Sequence, residues 1–376
     1  MKRAGSFELS LHGGRAPAWL TERMKRLASA IVEMILDEYG EDKFLANLSD
    51  PLWFQAFSCV LAYDWDSSGT TTVTCGVLKD VLNGSRLGLR CVGGKGSASR
   101  KAPWELAKAA EELGLGEQVL EKLRYSSKMC AKVDNAAIQA GYQLYHHSMF
   151  VTSAGKWAVV QQGMNPSSKT ARRYHWLSEG LASFVEEPHR GIVGQMAHER
   201  VLDMTARESD ESRKVCADLA SEHPDRVRRH SGSIRQLGQE SLGRWLESAN
   251  RGPNPSTYAL VDESRINWKA LEKAYEIKPS NYEELLAIRG FGPSTARALA
   301  LIAEVVYGAR TSWKDPVKFS FAFGGKDGIP FPVKRKVMDR SISILQEAVQ
   351  EARIGETEKV RAVKRLMEFT RRLTPP

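Results

Sequence analysis

Cysteine is scarce in this chain and never paired in sequence. The five residues, Cys59, Cys75, Cys91, Cys130 and Cys216, include no Cys-x-x-Cys. That spacing excludes a zinc ribbon and argues against a disulfide framework, which fits a reducing, cytoplasmic location. No apolar run is long enough for a secretory core or a membrane span, so no membrane partner is expected. No internal repeat appears, and the Walker A spacing G-x-x-x-x-G-K-[ST] is missing. Acidic side chains are the minority, 45 against 54 basic, leaving a formal charge of +9. That excess favours a polyanionic partner. The 376 residues suffice for two or three domains with substantial cores, and the sequence leaves room for a homo-oligomer.

What is present is concentrated near the C-terminus. An apolar helix end, Leu285 to Ile288, runs into Arg289-Gly290-Phe291-Gly292, and a second helix opens with Pro293-Ser294-Thr295-Ala296-Arg297. This is the pattern of a helix–hairpin–helix that grips nucleic-acid backbone. Gly290 and Gly292 allow close approach to a phosphate. The free N–H groups and positive dipole end of the second helix then bind it. Gly290, Gly292, Ser294, Thr295 and Arg297 are therefore candidate DNA contacts. Asn281 and Glu284 read as a capping box after Pro279. Leu299, Ile302, Val305 and Val306 give the second helix its apolar stripe, and Gly308 ends it.

Upstream, Asp50-Pro51 begins a helix carrying Trp53, Phe54, Phe57, Val60 and Leu61. A second helix with Val73, Val77 and Val81 stops at Asn83-Gly84, and Leu87, Leu89 and Cys91 alternate as a short strand. Two or three helices follow, from Pro103 to about Ala140. Residues 201–251 are polar, charged and helical in pattern, and Gly252-Pro253-Asn254-Pro255 reads as a boundary. The expected organisation is α+β. A catalytic domain (1–200) with a hairpin-containing sheet leads through a charged helical connector (201–252) to a mainly helical DNA-binding domain (253–376).

The clearest hairpin joins Tyr142–Thr152 to Lys156–Met164 around Ser153-Ala154-Gly155. Centring a three-residue turn on Ala154 sets Val151 opposite Trp157, Met149 opposite Val159 and His147 opposite Gln161. On the other face Phe150 meets Ala158, Ser148 meets Val160 and His146 meets Gln162. Each face is apolar near the turn and ends in a His–Gln pair that needs partners. The pair facing a carboxylate is the candidate site, the histidine serving as ligand or general base and the glutamine as a positioning donor. The other pair is expected to be structural.

Asp64 and Asp66 flank Trp65 in a Ser- and Gly-rich turn that suits either a divalent cation or helix capping. With Asp134, His146 and His147 they form the candidate set for Mg²⁺ or Mn²⁺. The candidate catalytic residues are Lys132, Asp134, His146, His147, Gln161, Gln162 and His175. Gly93-Gly94-Lys95-Gly96-Ser97 reads as a loop able to cradle phosphate, with Arg100 beyond it. Ala171-Arg172-Arg173-Tyr174-His175-Trp176 interleaves cations with rings, as backbone neutralisation and base stacking require. Lys95, Arg100, Arg172 and Arg173 join the candidate DNA contacts. Arg226-Val227-Arg228-Arg229 and Lys334-Arg335-Lys336 read as solvated helix faces.

Several of these segments together resemble an archaeal and bacterial family catalogued as domain of unknown function 763. They are Leu11-His12-Gly13-Gly14, Pro51-Leu52-Trp53-Phe54-Gln55-Ala56, Asp64 to Gly69, Gly93 to Gly96, Ala131 to Asp134, Leu144 to His147, Val159 to Met164 and Ala171 to Trp176. Members of that family often carry His where Asp66 stands. The resemblance implies DNA processing. The C-terminal module alone is similar to that of base-excision glycosylases. Ser294 occupies the position of their catalytic Lys, and Ser312, with Asp315 nearby, falls where their Asp is expected. The expected function is a metal-dependent nuclease on single-stranded or branched DNA in repair. A glycosylase and a non-catalytic DNA-binding protein are the alternatives.

Overall fold

Strand alternation decides how the centre of the molecule is built. The computed structural model describes residues 18–61, 68–194, 197–240, 263–317, 319–320, 335–352 and 354–373. Leu11 to Gly14, Asp64, Asp66, the 252–255 boundary and Lys334 lie outside them. Five antiparallel strands form one sheet, in the order β1 (Leu89–Lys95), β3 (Gln143–Thr152), β4 (Trp157–Asn165), β5 (Thr170–Leu177) and β6 (Gly191–Gly194). The two-residue strand β8 (Phe319–Ser320) runs parallel to β6, and β2 (Ile138–Gln139) pairs separately with β7 (Leu202–Asp203). The β3–β4 register is the one expected, from Val151 opposite Trp157 to His147 opposite Gln161 and His146 opposite Gln162. A register shift between Leu144 and His146 interrupts it only beyond the histidines.

Because side chains alternate, each strand feeds two cores. Met149, Val151, Val159, Tyr174, Trp176 and Ile192 join one cluster, while Phe150, Ala158, Val160 and Val193 join the other. The first cluster is completed by α4 (Ala102–Glu112), α5 (Glu117–Lys132), α6 (Asp210–Ala220), α7 (Pro224–Glu240), α8 (Trp268–Ile277), α9 (Tyr282–Ala287) and α10 (Pro293–Tyr307). The second is completed by α1 (Ala18–Ser49), α2 (Pro51–Val60), α3 (Gly69–Asn83), α11 (Arg335–Glu351) and α12 (Glu356–Leu373). The fold is mixed α+β, with the antiparallel sheet in the N-terminal half and helices in the C-terminal part. Both clusters draw on sequence from either side of residue 252, so packing is continuous across the expected boundary.

Local signals explain the elements. Asp50 caps α2 by accepting from the Leu52 (2.8 Å) and Trp53 (3.3 Å) N–H groups, with Pro51 at the first helical position. Asn281 Oδ1 accepts from Glu284 N–H at 2.9 Å, while the Glu284 carboxylate reaches back to Ser280 N–H at 2.9 Å. Gly308 ends α10 at φ +70°. Two expectations are corrected. Gly93, Gly94 and Lys95 are strand, paired with Ser148, His147 and His146, not a phosphate loop. Gly93 (φ +86°) is required there, since a Cβ would lie 2.1 Å from the His147 carbonyl oxygen, and its N–H is already given to Glu105 at 2.7 Å. Val306 is 41% exposed, past the edge of the apolar stripe of α10.

Candidate functional site

Helix α5 carries the site along two adjacent stripes. Leu120, Leu123, Ser127 and Cys130 are buried at helical spacing, and Asp134 continues the same line. Arg124, Lys128 and Lys132 recur at four-residue intervals beside it. At its end α5 widens into a π turn over Val133–Ala137, closed by the Ile138 N–H on the Val133 carbonyl. Such turns re-aim side chains and are frequent at functional sites. Here the turn accompanies a carboxylate, Asp134, that is fully buried.

Asp134 is the terminus of a hydrogen-bonded chain. Its Oδ2 accepts from Gln161 Nε2 (2.5 Å) and Trp176 Nε1 (3.0 Å), and its Oδ1 from His189 Nε2 (2.5 Å). Gln161 Oε1 meets His147 Nδ1 at 2.7 Å, and His147 Nε2 meets Ser127 Oγ at 2.8 Å. The proton positions follow from donor inventory. A carboxylate takes the amide N–H of Gln161, which turns the amide oxygen to His147. That oxygen can only accept, so Nδ1 carries the ring proton and Nε2 is left to accept from the Ser127 hydroxyl. Burial lowers the His147 pKa, opposed by Gln161 and Asp134, and so favours the neutral ring that this arrangement needs.

Ser127, His147 and Gln161 line a cavity of about 490 Å³. Its charged walls are Arg100, Arg124, Lys128 and Lys132, with no carboxylate among the described lining residues. Arg124 is partly offset by Glu121 at 2.5 Å. Lys132 donates to the carbonyls of Ile288 (3.1 Å) and Phe291 (2.6 Å), and burial, aided by Lys128, pulls its pKa to about 8. Phe291 itself lines the cavity. The Gly290–Gly292 turn and the His147–Gln161 pair, read separately from the sequence, therefore meet at one place.

The other candidates scatter. His146 lies on the second-cluster face of the sheet, its Nε2 3.1 Å from Ser148 Oγ, though it also contributes to the cavity wall. Its Nδ1 is buried without a partner among the described residues, so the pair finds partners at Gln162 but not fully at His146. Gln162 bonds the Ser68 carbonyl (2.8 Å), Thr71 and Tyr145. Burial, with His147 and Lys95 nearby, pulls the His146 pKa to about 3. His175 is buried on that same face between Arg173 Nε (2.8 Å) and the Leu48 carbonyl (3.0 Å), away from Asp134.

Arg172 and Arg173 are corrected from DNA contacts to interior residues, since neither exposes any surface. Arg172 pairs with Asp315, while Arg173 packs over Phe54 and donates to Gln55 (3.2 Å). Thr295 is buried, its Oγ1 accepting from Asn267 N–H at 3.0 Å. Arg297 is held by Gln139 Oε1 at 2.7 Å. Lys95, Arg100 and Gly290 are exposed, and Gly292 and Ser294 are half-buried at the start of α10.

The described members of the metal set do not fit a shared cation. Asp134 faces three N–H donors, His147 has both nitrogens committed, and His146 sits on the other face. Among the described residues no group of three or more His, Cys, Asp or Glu side chains is placed to hold a metal ion.

Sequence reasoning missed Ser127, His189, Trp176, Arg124 and Lys128. Ser127 and Asp134 were detectable as polar intrusions in the apolar stripe of α5, and the cations as its neighbouring four-residue stripe. His189 follows Pro188 in irregular chain, with no periodicity to expose it.

The chain belongs to the family described as protein of unknown function (DUF763), which matches residues 5–333. No curated protein and no solved structure matches it. Among the described residues, no helix is long and apolar enough to cross a membrane.

Proposed function

We propose that this member of the DUF763 family is a nuclease acting on single-stranded or branched DNA in repair, with the strand seated between α4, α5 and the Gly290–Gly292 turn. One observation carries the reading. Two features from distant parts of the chain, the turn and the buried His147–Gln161 pair, open onto one cavity whose charged lining is cationic. Arg100, Lys128 and Lys132 would neutralise phosphates, and the N-terminus of α10 adds N–H donors beside them. Trp104 is 70% exposed next to cavity-lining Pro103, and it offers a ring on which an unpaired base can stack. His147 would serve as the base and Gln161 would hold its tautomer. No step is assigned to a metal, because Asp134 and both ring nitrogens of His147 are already hydrogen-bonded and His146 lies on the other face of the sheet. The glycosylase alternative gains no support from Asp315, which is engaged by Arg172.

The test is incubation of the full chain with end-labelled single-stranded, duplex and forked DNA, each with Mg²⁺, Mn²⁺ or EDTA. Cleavage of single-stranded or forked DNA in preference to blunt duplex is expected, and the EDTA arm reports any metal requirement. No cleavage in any arm overturns the nuclease and leaves a DNA-binding protein. Strand breakage only after alkali would identify a glycosylase.

A further inference from the structure

Two adjacent serines of α5 have different surroundings. Ser126 Oγ donates to the Lys122 carbonyl of its own helix at 2.9 Å, the ordinary resting place of a helical serine. Ser127 Oγ instead meets His147 Nε2 at 2.8 Å, and it lines the cationic cavity. A serine hydroxyl on the bare nitrogen of a histidine, with the other nitrogen fixed by a third group, is the arrangement of an activated nucleophile. The third group here is the Gln161 amide, itself fixed by Asp134. The cavity's cations favour a negatively charged electrophile, such as a phosphodiester, over a neutral ester.

We propose that Ser127 is the nucleophile of this site and forms a phosphoserine-linked intermediate with the strand, an inference that rests on the nuclease reading. Ser127 Oγ bonds to phosphorus as the bond from phosphorus to the departing sugar oxygen breaks. The hydroxyl proton passes to His147 Nε2, and the departing alkoxide takes a proton from Lys132. Solvent restores Lys132 and removes the extra proton from His147. Water then attacks phosphorus and gives a proton to His147, which returns it to Ser127 Oγ as the Oγ–P bond breaks. Nothing is oxidised or reduced, and the net reaction is hydrolysis.

The experiment separates this step from the DNA reading by using a small phosphorus electrophile. Full-length protein is treated with a fluorophosphonate, whose P–F bond breaks as the serine Oγ–P bond forms, and the modified residue is located by fragmentation mass spectrometry. Labelling is expected at Ser127 in the wild type and in Ser126→Ala, lost in Ser127→Ala, and slowed at least about 100-fold in His147→Ala, the range of one catalytic base. In parallel, single-turnover reactions with end-labelled single-stranded DNA are quenched in detergent. A protease-sensitive covalent protein–DNA species is expected with wild type and Ser126→Ala only. Circular dichroism establishes that each variant is folded. Labelling elsewhere or nowhere, or wild-type cleavage by folded Ser127→Ala, overturns the nucleophile and leaves the nuclease standing. Labelling of Ser127 without DNA cleavage supports the nucleophile and overturns the nuclease.

Discussion

Arg172 and Asp315, 143 residues apart in the chain, form a two-armed ion pair with almost no exposed surface. Arg172 Nη1 donates to Oδ1 at 3.0 Å and Nη2 to Oδ2 at 2.6 Å. Asp315 also accepts from the His198 (2.8 Å) and Val317 (3.1 Å) backbone N–H groups. The Arg172 side chain lies over the Tyr142 ring, 4.6 Å from its centroid. The pair fastens β5 to the chain following α10. It also removes one residue from the candidate DNA contacts and the carboxylate on which a glycosylase would depend.

Removing one partner leaves a charge buried alone, so Asp315→Ala is expected to lose about 3–5 kcal/mol of stability. Arg172→Met combined with Asp315→Leu is expected to recover much of that loss, because the lone charge is gone. Urea titrations of the wild type and the two variants measure this. A small effect of Asp315→Ala on stability, with full loss of DNA cleavage, would assign Asp315 to chemistry instead.

Backbone binding through the cavity predicts a particular salt dependence. Lys128→Ala and Arg100→Ala should each weaken single-strand binding and lower the slope of log K against log salt by about 0.7, one phosphate's worth. Trp104→Ala should cost about 1–3 kcal/mol of single-strand affinity with the salt slope unchanged, since stacking releases no counterions. Binding isotherms at several salt concentrations distinguish the two behaviours.

The sequence exposed whatever is periodic or local. The β3–β4 register could be read because a three-residue turn and two-residue alternation leave one pairing that buries Phe150 and Val160 together. The caps of α2 and α9 could be read because Asp50 and Asn281 act on N–H groups two or three residues away. The site was half legible. His147, Gln161 and Asp134 were candidates, and alternation put the His147 and His146 pairs on opposite faces, although His146 also reaches the cavity wall. Their partner Ser127 lies on a helix, where a serine carries no signal until the stripe around it is recognised as buried. Arg172 and Arg173 misled because cations beside rings look the same whether they face DNA or a core. Asp315 and Gln55, which account for their burial, are remote in sequence.

The two glycines of the turn should behave differently. Gly290 has φ +92°, and a Cβ there would lie 2.9 Å from Asn267 Nδ2, which donates to the Gly290 carbonyl at 3.0 Å. Gly290→Ala should therefore destabilise the fold by about 1 kcal/mol or more. Gly292 is extended (φ −133°), and its nearest neighbour would be 3.9 Å from a Cβ. Gly292→Val should leave the melting temperature within a few degrees of wild type, yet weaken DNA binding by crowding the start of α10. Equal affinity of Gly292→Val and wild type for every DNA form would remove this turn from the interface.

Three fully buried histidines make stability depend on acid. His146, His147 and His175 all have lowered pKa values because burial disfavours the imidazolium, His146 reaching about 3. The unfolded chain binds their protons near pH 6.5, whereas the folded chain refuses them until lower pH. Stability is thus complete above about pH 6.5 and falls as pH drops towards the folded values, each unit of depression being worth about 1.4 kcal/mol per histidine. Asp50 and Asp203, raised by burial, act in the opposite sense, gaining stability as pH falls, and so offset part of the loss. Because an unfolded histidine takes up its proton near pH 6.5, above the ordinary carboxylate range, the net slope between pH 6.5 and 4.5 should favour neutral pH. Urea midpoints should change little between pH 7.5 and 6.5 and fall steadily from 6.5 to 4.5. His146→Met removes the group lowered to about 3 without adding a charge, so it should flatten that fall by about one proton's share. Coincident slopes for wild type and His146→Met would show that His146 is protonated in the folded protein, and that its unpartnered Nδ1 finds an acceptor.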